Sequence, residues 1–305
     1  MTRAAAIDVG TNTVRLLIAD VLPPDAPIHL DRGLEITRLG RGVDAEGHLS
    51  DDAIRRTLDA VAGFAERAAT ACVDTIRVAG TSALRDAADG GRFVEAVRDA
   101  TGLEVELLEG SSEGRLAFLG ATWELADGPH VVCDVGGGST ELVRGGRDGV
   151  SVVSVDVGSV RVRERYLASD PPTDDEVERA RAFVRERLAE ADRIGITGAE
   201  TFVGVAGTVT TLAALVLGLR TYDPERVHGA RIPSTEVRRW LDRLRGMPTD
   251  EIGRLPTMEP GRADVITSGS LVLLEVLDRW GFDEVAVSER DLLDGLILDA
   301  VGASR

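Results

Sequence analysis

Ala4-Ala5-Ala6-Ile7-Asp8-Val9-Gly10-Thr11-Asn12-Thr13-Val14-Arg15-Leu16-Leu17-Ile18-Ala19 is the stretch that decides the fold. Two apolar runs, Ala4 to Asp8 and Val14 to Ala19, flank the polar Gly10-Thr11-Asn12 and read as a β-hairpin with Asp8 at its mouth. The pattern returns at one fixed distance. Ile7-Asp8-Val9-Gly10 matches Cys133-Asp134-Val135-Gly136 and Leu16 matches Leu142, all 126 residues apart. The second hairpin runs from Val131 to Cys133 through Asp134-Val135-Gly136-Gly137-Gly138-Ser139-Thr140 into Glu141 to Val143. A duplicated α/β lobe is the reading this repeat supports.

The sequence between the hairpins fits that plan. Ser50 reads as an N-cap, and Ile54, Leu58, Val61, Ala65 and Ala68 recur at helical spacing. Strand Thr75 to Ala79 then meets the polar loop Gly80 to Arg85. A helix near Phe93 to Ala100 and a strand near Glu104 to Leu108 lead into Gly110-Ser111-Ser112-Glu113, the start of a helix reaching about Leu125, so Glu113 falls in a first turn. Ala126-Asp127-Gly128-Pro129 breaks the pattern and sets the expected lobes at 1–126 and 127–305. In the second lobe Thr173 and Glu176 form a capping-box pattern ahead of Val177, Ala180, Val184, Leu188 and Ala191. Strand Thr201 to Val205 runs into Ala206-Gly207-Thr208-Val209-Thr210 and an apolar helix through Leu217, and Glu284 to Val287 is a further clear strand.

Composition bounds the function. The 305 residues are 43% hydrophobic and 29% charged, enough for two packed lobes and unlike a disordered chain. The net charge is −17, and all 35 cationic side chains are arginine. Nucleic acids and membrane surfaces reward broad basic patches, so neither is an expected partner, and an anionic substrate needs a local pocket. Cys72 and Cys133 have neither close spacing nor a surrounding His cluster, so no disulfide framework or zinc site is expected, which fits a reducing cytoplasm. The apolar start is broken by Asp8, and Ala213 to Leu219 is far shorter than a span of about 20 residues, so neither a signal peptide nor a membrane helix is expected.

Glycine turns approach anions closely, and their successive backbone N–H groups can converge on phosphate oxygens. Gly10, Thr11, Asn12 and Thr13 form one such turn; Gly136, Gly137, Gly138, Ser139 and Thr140 form another; Gly207 to Thr210 is a third. A plain hairpin is the competing reading of each turn alone, and the repetition behind an Asp favours phosphate. Asp8 and Asp134 either accept local backbone hydrogen bonds or organise a metal, with Glu141 as an additional oxygen donor. Magnesium suits the second alternative, because it takes one or two carboxylates together with water and substrate phosphate.

Three stretches, Ile7 to Leu17, Asp134 to Leu142 and Gly204-Val205-Ala206-Gly207-Thr208-Val209-Thr210-Thr211-Leu212, resemble the exopolyphosphatase and guanosine pentaphosphate phosphohydrolase family (Ppx/GppA). Gly80-Thr81-Ser82-Ala83-Leu84-Arg85-Asp86-Ala87, Arg262 to Ile266 and Ser288-Glu289-Arg290-Asp291-Leu292-Leu293-Asp294-Gly295 are similar to further family motifs in the same order. The resemblance implies two ribonuclease-H-like lobes of the actin and sugar-kinase superfamily with an interlobe active-site cleft. It implies Glu113 as the base that activates water, where many relatives have an acid in place of Ser112. Arg85, at the end of its loop, reads either as a bidentate phosphate contact that stabilises transition-state charge or as an exposed arginine, and Arg15, in the second hairpin strand, either contacts phosphate or packs its stem on one sheet face. Magnesium or another divalent cation is the expected cofactor. Arg262, His228 and Asp156 to Arg161 resemble other family positions, for which structural roles weigh as much or more.

The activity implied is removal of terminal phosphate from inorganic polyphosphate, with guanosine pentaphosphate as the alternative substrate and a homodimer as the implied assembly. A superfamily kinase or ATPase would need an adenosine pocket, and the Glu113 motif favours hydrolysis over it. A phosphate-sensing module is the third class, which turnover separates from the first. Short chains are the expected substrates, because the sequence closes at Arg305 soon after the last motif and its charge of −17 repels a distant polyanion segment.

Overall fold

The computed structural model describes residues 1–126, 128–146, 149–197 and 201–303; Asp127 of the expected breaker and the terminal Arg305 lie outside them. The chain divides into two compact units, Met1–Leu125 with Arg290–Arg305, and Ala126–Glu289.

In the first unit β1 (Thr2–Val9), β2 (Thr13–Val21), β3 (Ile28–Ile36), β4 (Thr75–Gly80) and β5 (Val105–Leu107) form a sheet in the order β3-β2-β1-β4-β5. β1, β2 and β3 pair antiparallel, while β4 and β5 run parallel to β1. Side chains of a strand alternate between faces, and here both faces are apolar. Ala5, Ile7, Val9, Val14, Leu16 and Ile18 bury against Ile54, Val61 and Phe64 of helix Asp51–Thr70 and Phe93 and Val97 of helix Gly90–Thr101. Ala4, Ala6, Leu17, Ala19 and Val21 face Leu116 and Ala117 of helix Gly110–Thr122 and Leu293, Leu296 and Ile297 of helix Leu292–Ala300. Ser50 caps the first of these helices by accepting from the Ala53 amide.

Helix Leu292–Ala300 corrects the expected boundaries. The sequence reading placed everything after 127 in the second lobe, yet Arg290–Arg305 packs within the first unit. Two glycines explain the docking. A Cβ on Gly295 would lie 1.9 Å from the Leu116 carbonyl oxygen, and one on Gly120 would lie 2.1 Å from that of Asp291, so the two helices touch backbone to backbone. A charged lock then closes the helix start. The buried Asp294 carboxylate accepts from His29 Nε2 at 2.6 Å and Arg290 Nη1 at 3.1 Å, with Arg32 Nη2 at 3.9 Å.

The second unit repeats the plan with β6 (His130–Val135), β7 (Thr140–Gly146), β8 (Gly149–Val155), β9 (Thr201–Val205), β10 (Arg231–Pro233) and β11 (Glu284–Val287), ordered β10-β11-β9-β6-β7-β8. Omitting β10, which adds antiparallel at the edge, the order and directions are those of the first sheet. Hairpin register is also kept: Asp8 pairs with Arg15 and Val9 with Val14, while Asp134 pairs with Glu141 and Val135 with Thr140. Both units are therefore ribonuclease-H-like. The capping box forms as read, with Glu176 accepting from the Thr173 amide at 2.8 Å. Hydrogen bonds from the Thr173 and Ser169 amides hold the Glu176 carboxyl down to about 2.

Burial alone would raise the Asp294 carboxyl, but the His29 hydrogen bond and the charges of His29, Arg290 and Arg32 bring it below its ordinary 3.8. A depressed folded-state value stabilises above the unfolded carboxylate range, and the contribution disappears as pH falls through the folded value. Asp294→Asn should therefore cost about 3 kcal/mol at pH 7 in urea unfolding, and the gap to wild type should narrow below about pH 4.

Candidate active site

Parallel strands present their carboxyl ends along one edge of a sheet, where open α/β sheets bind ligands. In the first unit that edge gathers the turn after β1, the short helix Ser82–Asp86 after β4 and the helix after β5. Gly10 N donates to Thr13 O at 2.9 Å and closes the hairpin. Thr11 O accepts from Gly40 N at 2.8 Å, and Asn12 O accepts from Thr37 N at 3.1 Å and Arg38 N at 3.0 Å. A planar trans peptide sets its N–H opposite its C=O, so tying these carbonyls back turns the Asn12 and Thr13 N–H groups the other way. Thr11 Oγ1 lies 3.1 Å from Ser82 Oγ, which fixes the turn to the short helix Ser82–Asp86; this helix, with Arg85 in it, stands where a polar loop is expected from the sequence.

Asp8 is 4% exposed, and its Oδ2 accepts from Arg15 Nη2 at 2.7 Å and Nε at 3.0 Å. The register that pairs the two residues makes this contact. Arg15 also ion-pairs through Nη1 with Asp291, the residue that caps helix Leu292–Ala300. Arg15 therefore already engages two carboxylates. Burial raises the Asp8 carboxyl, Arg15 opposes the rise, and the Asp291 charge adds to it.

β4 and β5 are parallel neighbours, so their ends bring Arg85 and Glu113 together. Glu113 occupies the first turn of helix Gly110–Thr122, where the macrodipole favours an anion. It is 7% exposed and accepts from Arg85 Nη1 at 2.8 Å, while the same nitrogen donates to Leu108 O. Ser112 beside it is exposed.

The second unit repeats the turn with firmer anchoring. Gly136 N donates to Ser139 O at 3.0 Å, the counterpart of the Gly10 bond. Gly136 O accepts from Ser159 N at 2.9 Å, Gly137 O from Val160 N at 2.9 Å and Arg161 N at 3.2 Å, and Gly138 O from Arg161 Nε at 2.8 Å. The N–H groups of Gly137, Gly138 and Ser139 are thereby turned outward. Asp134 and Glu141 are both buried and directly opposite, and Glu141 Oε1 accepts from Ser154 Oγ at 2.7 Å. Burial, with the charges of Asp134 and Glu141, pushes the adjoining Cys133 thiol well up, which keeps it protonated and unreactive.

Gly207 and Thr208 differ from the sequence reading in setting. They lie in the first turn of helix Ala206–Val216, where the expected element was a glycine turn. Arg262 Nη1 donates to Thr211 Oγ1 at 2.9 Å, and a Cβ on Gly207 would meet Arg262 Nη2 at 2.7 Å. The preceding Ala206 has a φ of 67°, a left-handed conformation costly for alanine.

A model of the Ppx/GppA phosphatase family matches residues 25–303. The chain belongs to that family. It is 43% identical over 317 residues to exopolyphosphatase 2 of Mycobacterium tuberculosis, covering 99% of each. The crystal structure of an exopolyphosphatase-like protein superposes with a TM-score of 0.93 at 36% identity, over 98% of this chain and 97% of that one. The Ppx/GppA family member of Aquifex aeolicus superposes at 0.83 with 33% identity, over 98% and 97%.

For a Ppx/GppA phosphatase a divalent cation is the implied cofactor, and the carboxylates fit a sparse site. Among the described residues no three His, Cys, Asp or Glu side chains form a ligand cluster. Magnesium needs none, since water and phosphate complete its shell. Asp8 Oδ1 is buried and has no hydrogen-bond partner among the described residues, an oxygen suited to a cation. Sequence reasoning left Asp291, Ser82 and the strap Val157–Arg161 out of the candidate site. Asp291 and Ser82 lie in the stretches Ser288 to Gly295 and Gly80 to Ala87, but their partners Arg15 and Thr11 are 276 and 71 residues away in sequence.

Arg85→Met would remove the guanidinium from a buried carboxylate. Equilibrium unfolding should show a loss of about 2 kcal/mol, and adding Glu113→Gln should recover most of it, since the pair couples directly.

Proposed function

We propose that this chain is an exopolyphosphatase, hydrolysing the terminal phosphoanhydride of inorganic polyphosphate and releasing orthophosphate. The observation behind this reading is Glu113, a buried carboxylate fixed by Arg85 on the edge that also presents the Asn12 and Thr13 amides. Such a carboxylate orients a water and accepts its proton as the oxygen attacks the terminal phosphorus. The bond to the bridging oxygen breaks, and the shortened chain leaves with the electron pair. The outward amides stabilise charge on the nonbridging oxygens without reorganising. Arg85 holds Glu113 and adds positive charge beside the phosphoryl group. Arg15 is retained as a phosphate ligand that shares its guanidinium with Asp8 and Asp291. In the second unit the Gly136 to Thr140 turn and the helix start at Gly207 and Thr208 are further phosphate ligands.

Magnesium or another divalent cation, when bound, neutralises substrate charge. Asp8 in the first unit and the Asp134 and Glu141 pair in the second are the oxygen donors available to it. The name of the Mycobacterium tuberculosis relative favours polyphosphate over guanosine pentaphosphate. The family likeness also carries the cytoplasm as compartment and a homodimer as assembly into this reading. Among the described residues no helix is long and apolar enough to cross a membrane.

Phosphate release from polyphosphates of a few, tens and hundreds of units, guanosine pentaphosphate and ATP, each with and without magnesium, tests the proposal. Polyphosphate should be hydrolysed only with metal, and kcat/KM per chain end should not rise with length, given the charge of −17. Preference for guanosine pentaphosphate would replace the substrate, and full activity after chelation would remove the metal.

Glu113→Gln keeps the side-chain volume but loses the base. It should lower kcat by about 10²–10⁴-fold, the usual worth of general-base catalysis, while substrate affinity changes only a few fold. Near-wild-type turnover by the folded variant would remove Glu113 from the mechanism.

A further inference from the structure

The segment Val157–Arg161 follows β8 and opens helix Ser159–Tyr166. It touches the Gly136–Ser139 turn through that turn's carbonyl oxygens. Three consecutive backbone amides, Ser159, Val160 and Arg161, donate to Gly136 O and Gly137 O, and Ser159 Oγ reaches Gly136 O at 3.2 Å. Arg161 Nε donates to Gly138 O at 2.8 Å. The contact depends on Gly158, because a Cβ there would lie 2.3 Å from Gly137 O. In the first unit the equivalent carbonyl, Asn12 O, is held by two backbone amides, Thr37 and Arg38. In the second unit the hold on Gly138 O comes from an arginine side chain.

We infer that Arg161 is a positioning residue for phosphate binding: its Nε holds Gly138 O back and thereby aims the Ser139 N–H at the ligand. This rests on the phosphatase reading above. The role belongs to geometry, and the arginine charge is secondary to it. A peptide free to flip would present a carbonyl oxygen to a phosphate in place of an N–H, turning an attraction into a repulsion.

Lysine separates the two roles, because it keeps the charge but places a methylene at the level of the arginine Nε. Tripolyphosphate with magnesium is titrated calorimetrically into Glu113→Gln protein, and into the same protein carrying Arg161→Lys, Arg161→Ala or Gly158→Ala. Positioning requires the Lys and Ala variants to weaken binding alike, by about tenfold, as expected for a lost hydrogen bond from a charged donor. Their melting temperatures should stay within about 2 °C of the parent. On the Glu113-intact background both variants should raise KM by a similar factor and lower kcat less. Affinity near the parent for Arg161→Lys, with loss only in Arg161→Ala, would assign a direct charge contact and overturn positioning. Unchanged binding in both would overturn it outright, as would a loss that follows a large fall in melting temperature. Gly158→Ala should weaken binding more than either, and a folded Gly158→Ala protein of parental affinity would also count against the strap. Failure of the parent itself to bind tripolyphosphate would instead sink the phosphatase reading, and this inference with it.

Discussion

A peptide unit offers an approaching anion either an N–H or a carbonyl oxygen, and a glycine turn can offer both. Everything these turns can do for a phosphate depends on which side is secured. Each unit secures the carbonyl side with the segment that follows its third strand: Thr37 to Gly40 after β3, and Val157 to Arg161 after β8. The hairpin, the repeated sheet order and the placement of β3 and β8 beside β2 and β7 are what bring those segments to the turns.

Burying carboxylates is the second constraint, because each needs a hydrogen-bonding or charged partner. With no lysine in the sequence, arginine is the cation at several of these sites. Arg15 joins Asp8 to Asp291, Arg85 holds Glu113, Arg290 serves Asp294, and Arg185 pairs with the 2% exposed Glu275. A guanidinium suits these sites because its planar fork can serve several acceptors while remaining ionised. The two hairpins have nevertheless diverged at one register position. Asp8 faces a cation, whereas Asp134 faces the second acid Glu141, so two units of one topology offer different charge environments to a ligand.

Much of this was legible in the sequence, for physical reasons that can be named. The hairpins announced themselves because their strands are buried on both faces and read as unbroken apolar runs around glycine. The cap at Ser50 and the box at Thr173 and Glu176 are local and were readable as such. β3 and β8 are less legible because polar residues break up their apolar runs, His29, Asp31, Arg32 and Glu35 in β3 and Ser151 and Ser154 in β8. Gly207 and Thr208 sat in a stretch whose glycine suggested a turn, while the apolar residues after it continued a helix into that same stretch. The Arg85–Glu113 and Arg15–Asp291 pairs are contacts between distant segments, which local patterns do not encode.

The return of Arg290–Arg305 to the first unit makes that unit discontinuous in the chain. During synthesis its sheet can acquire the covering on one face early, from helices Asp51–Thr70 and Gly90–Thr101. On the other face Ala4, Ala6, Leu17, Ala19 and Val21 can meet Leu116 and Ala117 early, but must wait for Leu293, Leu296 and Ile297. All of Ala126–Glu289 is made in between, which at about 5–20 residues per second lasts on the order of ten seconds. Through that interval a nascent chain leaves part of that apolar face uncovered, and it is then most open to wrong contacts.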